Sequence, residues 1–399
     1  MLQQLTDVLD RAGKPTEVFT SPDGSRILVL PYGGRVLGLF APRREQNFFW
    51  THPALAAVES AREFYASGVW HNSGGDRTWL APEVDLFFPD FPDLGRYWQP
   101  RELDPGNYEV VRQGDGFVLV NRLTVLLSRA RRKVALEMTK SISPAPNPFR
   151  HETSLTQTSP CEKPLLTVIP SGARNPALSI FQAVRDSSSP AAPRNDKLAG
   201  FSHRLQAGGV EYAGYTLHTS LSVAPPSGGD EDTPPLGLWQ LLQMPHGGDL
   251  LVPTYRRTQP KIYMGEVGPQ DLMTGEHLVR YKMRANGEHK IGIRAIATTG
   301  RAGYLYEQGE ESVLVVRNFQ VNPSGEYVDV PWRETEDLGY AVQACNVCSG
   351  LGSFSELEYH VPALGGSSIR SHDVSQVWAF RGAAERIRGV AAALLGVEV

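Results

Sequence analysis

"FSELEYHVPAL", residues 354–364, decides how the rest of the chain is read. Taken as a strand, its alternate residues share a face. Glu356, Glu358 and His360 then point one way, and Leu357, Tyr359 and Val361 the other. An apolar row opposite a polar row is the pattern of a sheet strand with one face on a core. The polar face meets either bulk water or the floor of a polar pocket, and periodicity alone leaves both open.

Working outward, similar runs recur along the chain. They include "SRILVLPYGGRVLGLFA", "GFVLVNR", "LTVLLSRA", "KVALEMTKSIS", "VEYAGYTLHTSLSVA", "KIGIRAIATT" and "SVLVVRNFQV". Their β-branched and aromatic residues, with 39 Gly and 30 Pro punctuating 399 residues, predict many short strands. Helical spacing shows only at the ends, in "MLQQLTDVLDRAGK" (Leu2, Leu5, Val8, Leu9) and "GAAERIRGVAAALLG". So many strands with hardly a helix between them exclude a parallel α/β fold. They predict an all-β chain, a large antiparallel sandwich with short N- and C-terminal helices.

Composition narrows the function classes. A net charge of −4 spread over this length gives no basic footprint for nucleic acid. No apolar run reaches the roughly 18 residues of a membrane span. The N-terminus does not have the layout of a secretory signal. Three cysteines make no disulfide framework and fit a reducing compartment, so a cytoplasmic location is expected. Cys345 and Cys348 form a C-x-x-C in "ACNVCSG", read as a Gly/Ser turn before a strand, without redox or zinc chemistry.

Residues 153–208 stand apart. They are rich in Ser, Pro, Ala and Arg, have no sustained period, and are too long for an ordinary loop. The expectation is one domain spanning 1–399, with 153–208 a disordered insertion between two strands. Its core, "VIPSGARNPA…RDSSSPAAPRNDK", resembles translated interspersed repeats of some bacterial reading frames.

Two further blocks carry chemistry. "NSGGDRTWLAPEVDLFFPD", residues 72–90, gathers Asp76, Arg77, Trp79, Glu83 and Asp85 beside a Gly-Gly turn. Carboxylates and a guanidinium exchange hydrogen bonds with hydroxyls, and an indole covers the C–H face of a pyranose. The alternative is an Arg–carboxylate surface pair over a packed Trp. "LWQLLQMPHGGDLLVPT", residues 238–254, carries Trp239, Gln240, Gln243 and His246. Gln240 and Gln243 have opposite parity and cannot share a face of a regular strand. Glu83, Asp85 and Asp249 offer oxygen ligands but no EF-hand spacing, so no metal site is expected.

Taken together these blocks resemble the galactose mutarotase-like superfamily, and more closely its uncharacterised bacterial branches. The resemblance runs from about Ser25 to Gly382, with 153–208 outside it. "PYGGRVLGLFAP" stands where mutarotases carry a hairpin, "GGDRTWLAPE" where they carry an arginine motif, and "LWQLLQMPHGG" near their His-bearing strand. "SELEYHVPALGGSSIRSHDVSQVWAF" is similar to their closing strand-turn-strand. The resemblance implies a supersandwich of two large antiparallel sheets with a carbohydrate cleft. It also implies an aldose 1-epimerase-like isomerase working without metal or organic cofactor. It places the general base on Glu358, in preference to Glu356, and the sugar-binding arginine on Arg77. Trp79, Asp76, Glu83, Gln243, Glu356 and His360 are the companion binding residues. The family's acid histidine has no counterpart in "LWQLLQMP", which leaves His246 and His218 as the nearest imidazoles. The competing expectation is a non-catalytic sugar-binding protein, or an accessory sandwich of polysaccharide processing. The expected partner is a small carbohydrate, with no nucleic acid and no membrane. The oligomeric state is not legible.

Overall fold

The computed structural model describes residues 2–114, 116–149, 209–224, 233–366 and 369–398. Within them the strand-like runs pair into two antiparallel sheets of ten strands each. The first sheet runs in the order Glu17–Thr20, Arg26–Leu30, Arg35–Phe40, Asp76–Ala81, Thr233–Pro245, Gly352–His360, Val342–Ser349, Gly287–Ile293 and Lys261–Met264. Leu364–Gly366 adds to the edge of Thr233–Pro245. The second sheet is built around the long strands Glu311–Phe319, Arg370–Gly382, Val210–Val223, Arg132–Pro144 and Gly116–Leu127. The terminal helices are Leu2–Arg11 and Ala384–Leu395. The expected architecture, two large antiparallel sheets with short terminal helices, is the one the chain adopts.

Alternation explains the core. Leu357 and Tyr359 from the first sheet, with Leu242, Met244 and Ile291, meet Tyr215, Leu217, Tyr304 and Val315 from the second. Burying each such side chain contributes about 1.5–3 kcal/mol, which fixes the register because a one-residue slip would turn every one of them outward. Some polar residues sit between the sheets too. Asp76 accepts hydrogen bonds from Arg317, at 2.6 Å, and from Tyr215. Asp373 accepts one from Tyr359.

Three local readings change. "GFVLVNR" and "LTVLLSRA" form one continuous strand, Gly116–Leu127, because no breaker separates them. Val58–Ala66 is a helix whose apolar signal is too weak to read, since only Val58 and Ala61 are buried. Cys345 and Cys348 lie on the strand Val342–Ser349 and not in the turn, which comes after them. No helix among the described residues is long and apolar enough to cross a membrane.

Met1–Asn147 and Gly209–Val399 belong to one unit, and Pro148–Gly208 divides off from it. The proposed insertion, 153–208, lies outside the described residues. The strands on either side of it are direct neighbours, with Pro144 opposite Tyr215.

Candidate active site

The face of the first sheet turned away from the second sheet carries a cavity of about 400 Å³. Parity puts the residues there. Arg77 and Trp79 come from Asp76–Ala81, Trp239 and Leu241 from Thr233–Pro245, and Glu356 and Glu358 from Gly352–His360. Cys345 and Lys290 come from the next two strands. Beyond Ala81 the chain makes the short helix Glu83–Leu86 and a loop that adds Glu83, Phe88 and Tyr97 to the lining. Two glycines let the arginine strand enter. Gly74 and Gly75 have φ of +101° and +73°, and a Cβ on Gly75 would lie 2.3 Å from the Val36 carbonyl oxygen.

Charges on the cavity floor are paired in a definite order. The Arg77 guanidinium donates to Glu356 Oε1 at 2.8 Å, and Gln243 Nε2 donates to the same oxygen at 3.0 Å. Arg77 also lies over the Trp79 ring, 4.3 Å from its centroid. Its Nε and second terminal nitrogen are buried without a protein partner. The Trp239 indole donates to Glu358 Oε2 at 2.8 Å. Lys290 Nζ is 3.6 Å from Glu358 Oε2 and 3.6 Å from Glu83 Oε2. Glu83 is fully engaged, accepting from Tyr97 at Oε1 and from Trp332 at Oε2, both at 2.8 Å. Glu356 and Glu358 each carry one oxygen that takes no hydrogen bond from the described residues.

Burial then sets the proton balance. Glu358 is pushed up to about 8 by burial and by the neighbouring carboxylates Glu356 and Glu83, which together outweigh the pull of Lys290. Burial works against the Lys290 charge, but Glu358, Glu83 and Asp329 outweigh it and hold its proton above the ordinary lysine range. Burial raises the Cys345 thiol well above its usual value, and Glu356 and Glu358 add to this, so it stays protonated. One atom each of Cys345, Glu356 and Glu358 falls within 4.8 Å of the others, a spacing open to a metal ion. Arg77 and Lys290 already stand against those carboxylates and supply the positive charge a metal would bring.

Most of the sequence-derived set converges here. Arg77, Trp79, Glu83, Glu356 and Glu358 line the cavity, and Gln243 reaches its floor through Glu356. Asp76 does not join them, because it is one residue out of phase with Arg77 and so points between the sheets to Arg317. Gln240 likewise faces inward, toward Thr78 and Thr219. His360 is buried beside the floor, stacked on Trp239 at 5.2 Å, with Nε2 3.9 Å from Asp329. Burial, and after it the Lys290 charge, drive its pKa well below the usual histidine value, so it is a neutral ring. His218 is exposed on the second sheet, and His246 sits in the turn after Pro245; neither lines the cavity. The acids named as possible oxygen ligands stay apart. Asp85 pairs with Arg129, and Asp249 with Arg280 and Arg284.

Sequence reasoning missed Lys290, Tyr97, Trp332 and Cys345. Lys290 opens the run "KIGIRAIATT", where a lysine reads as a solvated strand end. The register places it instead opposite Cys345, in mid-sheet. Asp104 was also missed. It accepts from Arg35 at 2.8 Å, Trp79 at 2.9 Å and Trp70 at 3.0 Å, and so fixes the orientation of two indoles.

Fold and cavity together define a two-sheet antiparallel β-sandwich with a buried, carboxylate-rich, indole-lined site on one outer face. Residues 201–399 match a family model described as a family of unknown function (DUF6786). A solved structure of galactose 1-epimerase from Lactobacillus acidophilus NCFM aligns over 92% of this chain and 94% of its own, at 7% identity and a TM-score of 0.38. No curated protein sequence matches the chain.

Proposed function

We propose that the chain binds a carbohydrate in this cavity and interconverts its anomers as an aldose 1-epimerase-like isomerase. The observation that carries the reading is the pair of unengaged oxygens on Glu356 and Glu358. They stand in a cavity walled by Trp79 and Trp239 and flanked by Arg77 and Lys290. Fixed charges suit the hydroxyls of a pyranose, and the apolar walls suit its C–H groups.

In the reaction, ionised Glu358 takes the proton of the anomeric hydroxyl, while the Lys290 ammonium protonates the ring oxygen as the C–O bond breaks. Rotation of the aldehyde and the reverse transfers close the ring on its other face. The two groups are coupled: once Glu358 takes a proton, it no longer holds the one on Lys290, whose ammonium becomes the stronger acid. Such positioned proton transfer contributes about 10²–10⁴-fold.

Non-catalytic sugar binding is the second reading, and one observation favours it. Burial and the neighbouring carboxylates raise Glu358 to about 8, which leaves less of it ionised as a base at neutral pH. Polarimetry on freshly dissolved glucose, galactose and mannose separates the two readings. The isomerase reading expects the wild type to speed the optical change, and Glu358→Gln and Lys290→Met each to slow it about 10²-fold or more. Calorimetric binding without any acceleration would leave the binding reading standing, and no binding at all would end both.

A further inference from the structure

The cavity has a neighbour. A second hollow of about 560 Å³ adjoins it, and Trp70, Tyr97, Gln99 and Leu351 line both. Two features of this second hollow have no role in the proposed reaction. Asn72 lines it and is only 3% exposed, yet neither its amide oxygen nor its amide nitrogen has a protein partner. A buried amide left unsatisfied costs about 1–3 kcal/mol, a deficit removed by a group that both donates and accepts. Trp98 also lines it and is 48% exposed. An indole left half-exposed at the edge of a largely apolar hollow offers a stacking surface for a second ring.

Between the two hollows stands Trp70. Its indole N–H is fixed on Asp104 at 3.0 Å, and its ring lies 5.4 Å from that of Trp79. The dividing residue is therefore held in place from inside the fold and presents aromatic surface toward both sides.

We propose that the second hollow is a subsite for the next unit of a longer saccharide, so that the chain recognises a disaccharide or oligosaccharide end in preference to a free monosaccharide. The inference rests on the carbohydrate reading of the first cavity and goes beyond it in naming the size of the ligand. Asn72 takes a hydroxyl or acetamido group of the second unit, and Trp98 covers its apolar face.

Calorimetric titration of the full chain tests this with glucose, galactose and mannose against cellobiose, lactose and mannobiose. At least one disaccharide is expected to bind about tenfold tighter than either of its component sugars, the scale of one added ring contact. Trp98→Ala, a surface change that spares the fold, and Asn72→Leu are each expected to remove most of that gain. Both leave monosaccharide affinity unchanged. If monosaccharides bind and disaccharides bind no tighter, or if the gain survives both substitutions, the subsite is overturned while the first reading stands. If no sugar in the panel binds, both fall together.

Discussion

Glu358 and Lys290 form a proton pair whose balance is readable in stability as well as in rate. The carboxyl sits at about 8 in the fold against 4.5 as an ordinary glutamate. Between those values the native state holds a proton that the unfolded chain releases. The stability this contributes is fully present below about pH 4.5 and is lost as pH rises through about 8. Lys290 titrates above this range and buried His360 below it, while buried Lys140, lowered to about 8, titrates within it with the opposite sign, so Glu358 is read from the difference between the wild type and Glu358→Gln. Between pH 7 and 9 the melting temperature of the wild type is expected to fall relative to that of Glu358→Gln. If Glu358 is the base, kcat/KM for anomer interconversion rises with pH to a plateau above about 8; a falling profile would make it the acid. Arg77 gives a second prediction at this scale. It and Glu356 are both buried and bonded at 2.8 Å, so Arg77→Ala leaves an uncompensated carboxylate. The expected loss is about 3–5 kcal/mol in denaturant unfolding. Arg77→Met combined with Glu356→Gln is expected to recover most of it, because no buried charge is then left alone.

At the scale of elements, the site depends on how one strand is delivered to it. Asp76–Ala81 is wedged between Arg35–Phe40 and Thr233–Pro245, and its entry is the turn at Gly74 and Gly75. Any side chain at Gly75 meets the Val36 carbonyl and is strained at φ +73°. Gly75→Ala is therefore expected to cost about 1–3 kcal/mol or more. It is also expected to weaken sugar binding, because the strand it displaces carries both Arg77 and Trp79. Unchanged unfolding and unchanged binding would show that the strand is positioned by its partners alone. The strand Gly352–His360 needs no such device. It is paired on both sides, by Thr233–Pro245 and Val342–Ser349, so Glu356 and Glu358 are held by two ladders. Its inner residues Leu357 and Tyr359 lock the register.

Across the whole molecule, the two sheets close without residues 153–208. Arg132–Pro144 and Val210–Val223 are hydrogen-bonded neighbours, and Tyr212 donates to the carbonyls of Ala145 and Pro146. The strands that precede and follow that segment are therefore already adjacent. Replacing residues 153–208 with a short Gly/Ser bridge is expected to leave the melting temperature and sugar affinity near those of the full chain. Loss of soluble expression, or a large fall in melting temperature, would make the segment part of the core. Loop closure over fewer residues gives a small entropic gain, since each halving of loop length returns only about 0.6 kcal/mol.

By itself the sequence determined the all-β architecture, the terminal helices and the polar face of residues 354–360. Each of these is written in local periodicity, which a chain cannot satisfy in another register without exposing Leu357 and Tyr359. It also separated Gln240 from Gln243, because parity along a strand is a local property. What only the tertiary structure decided is which polar residues meet. Asp76 and Arg77 are adjacent in sequence, yet one faces Arg317 between the sheets and the other Glu356 in the cavity. Lys290 reached the site through strand order, and Tyr97 and Trp332 through loops folded over it. Cys345, read as part of a turn, became a wall of the same cavity once its strand was paired. Pairings between residues hundreds of positions apart leave no periodic trace in the chain. They are set by which ladders close and which apolar faces are buried, and those choices belong to the fold as a whole.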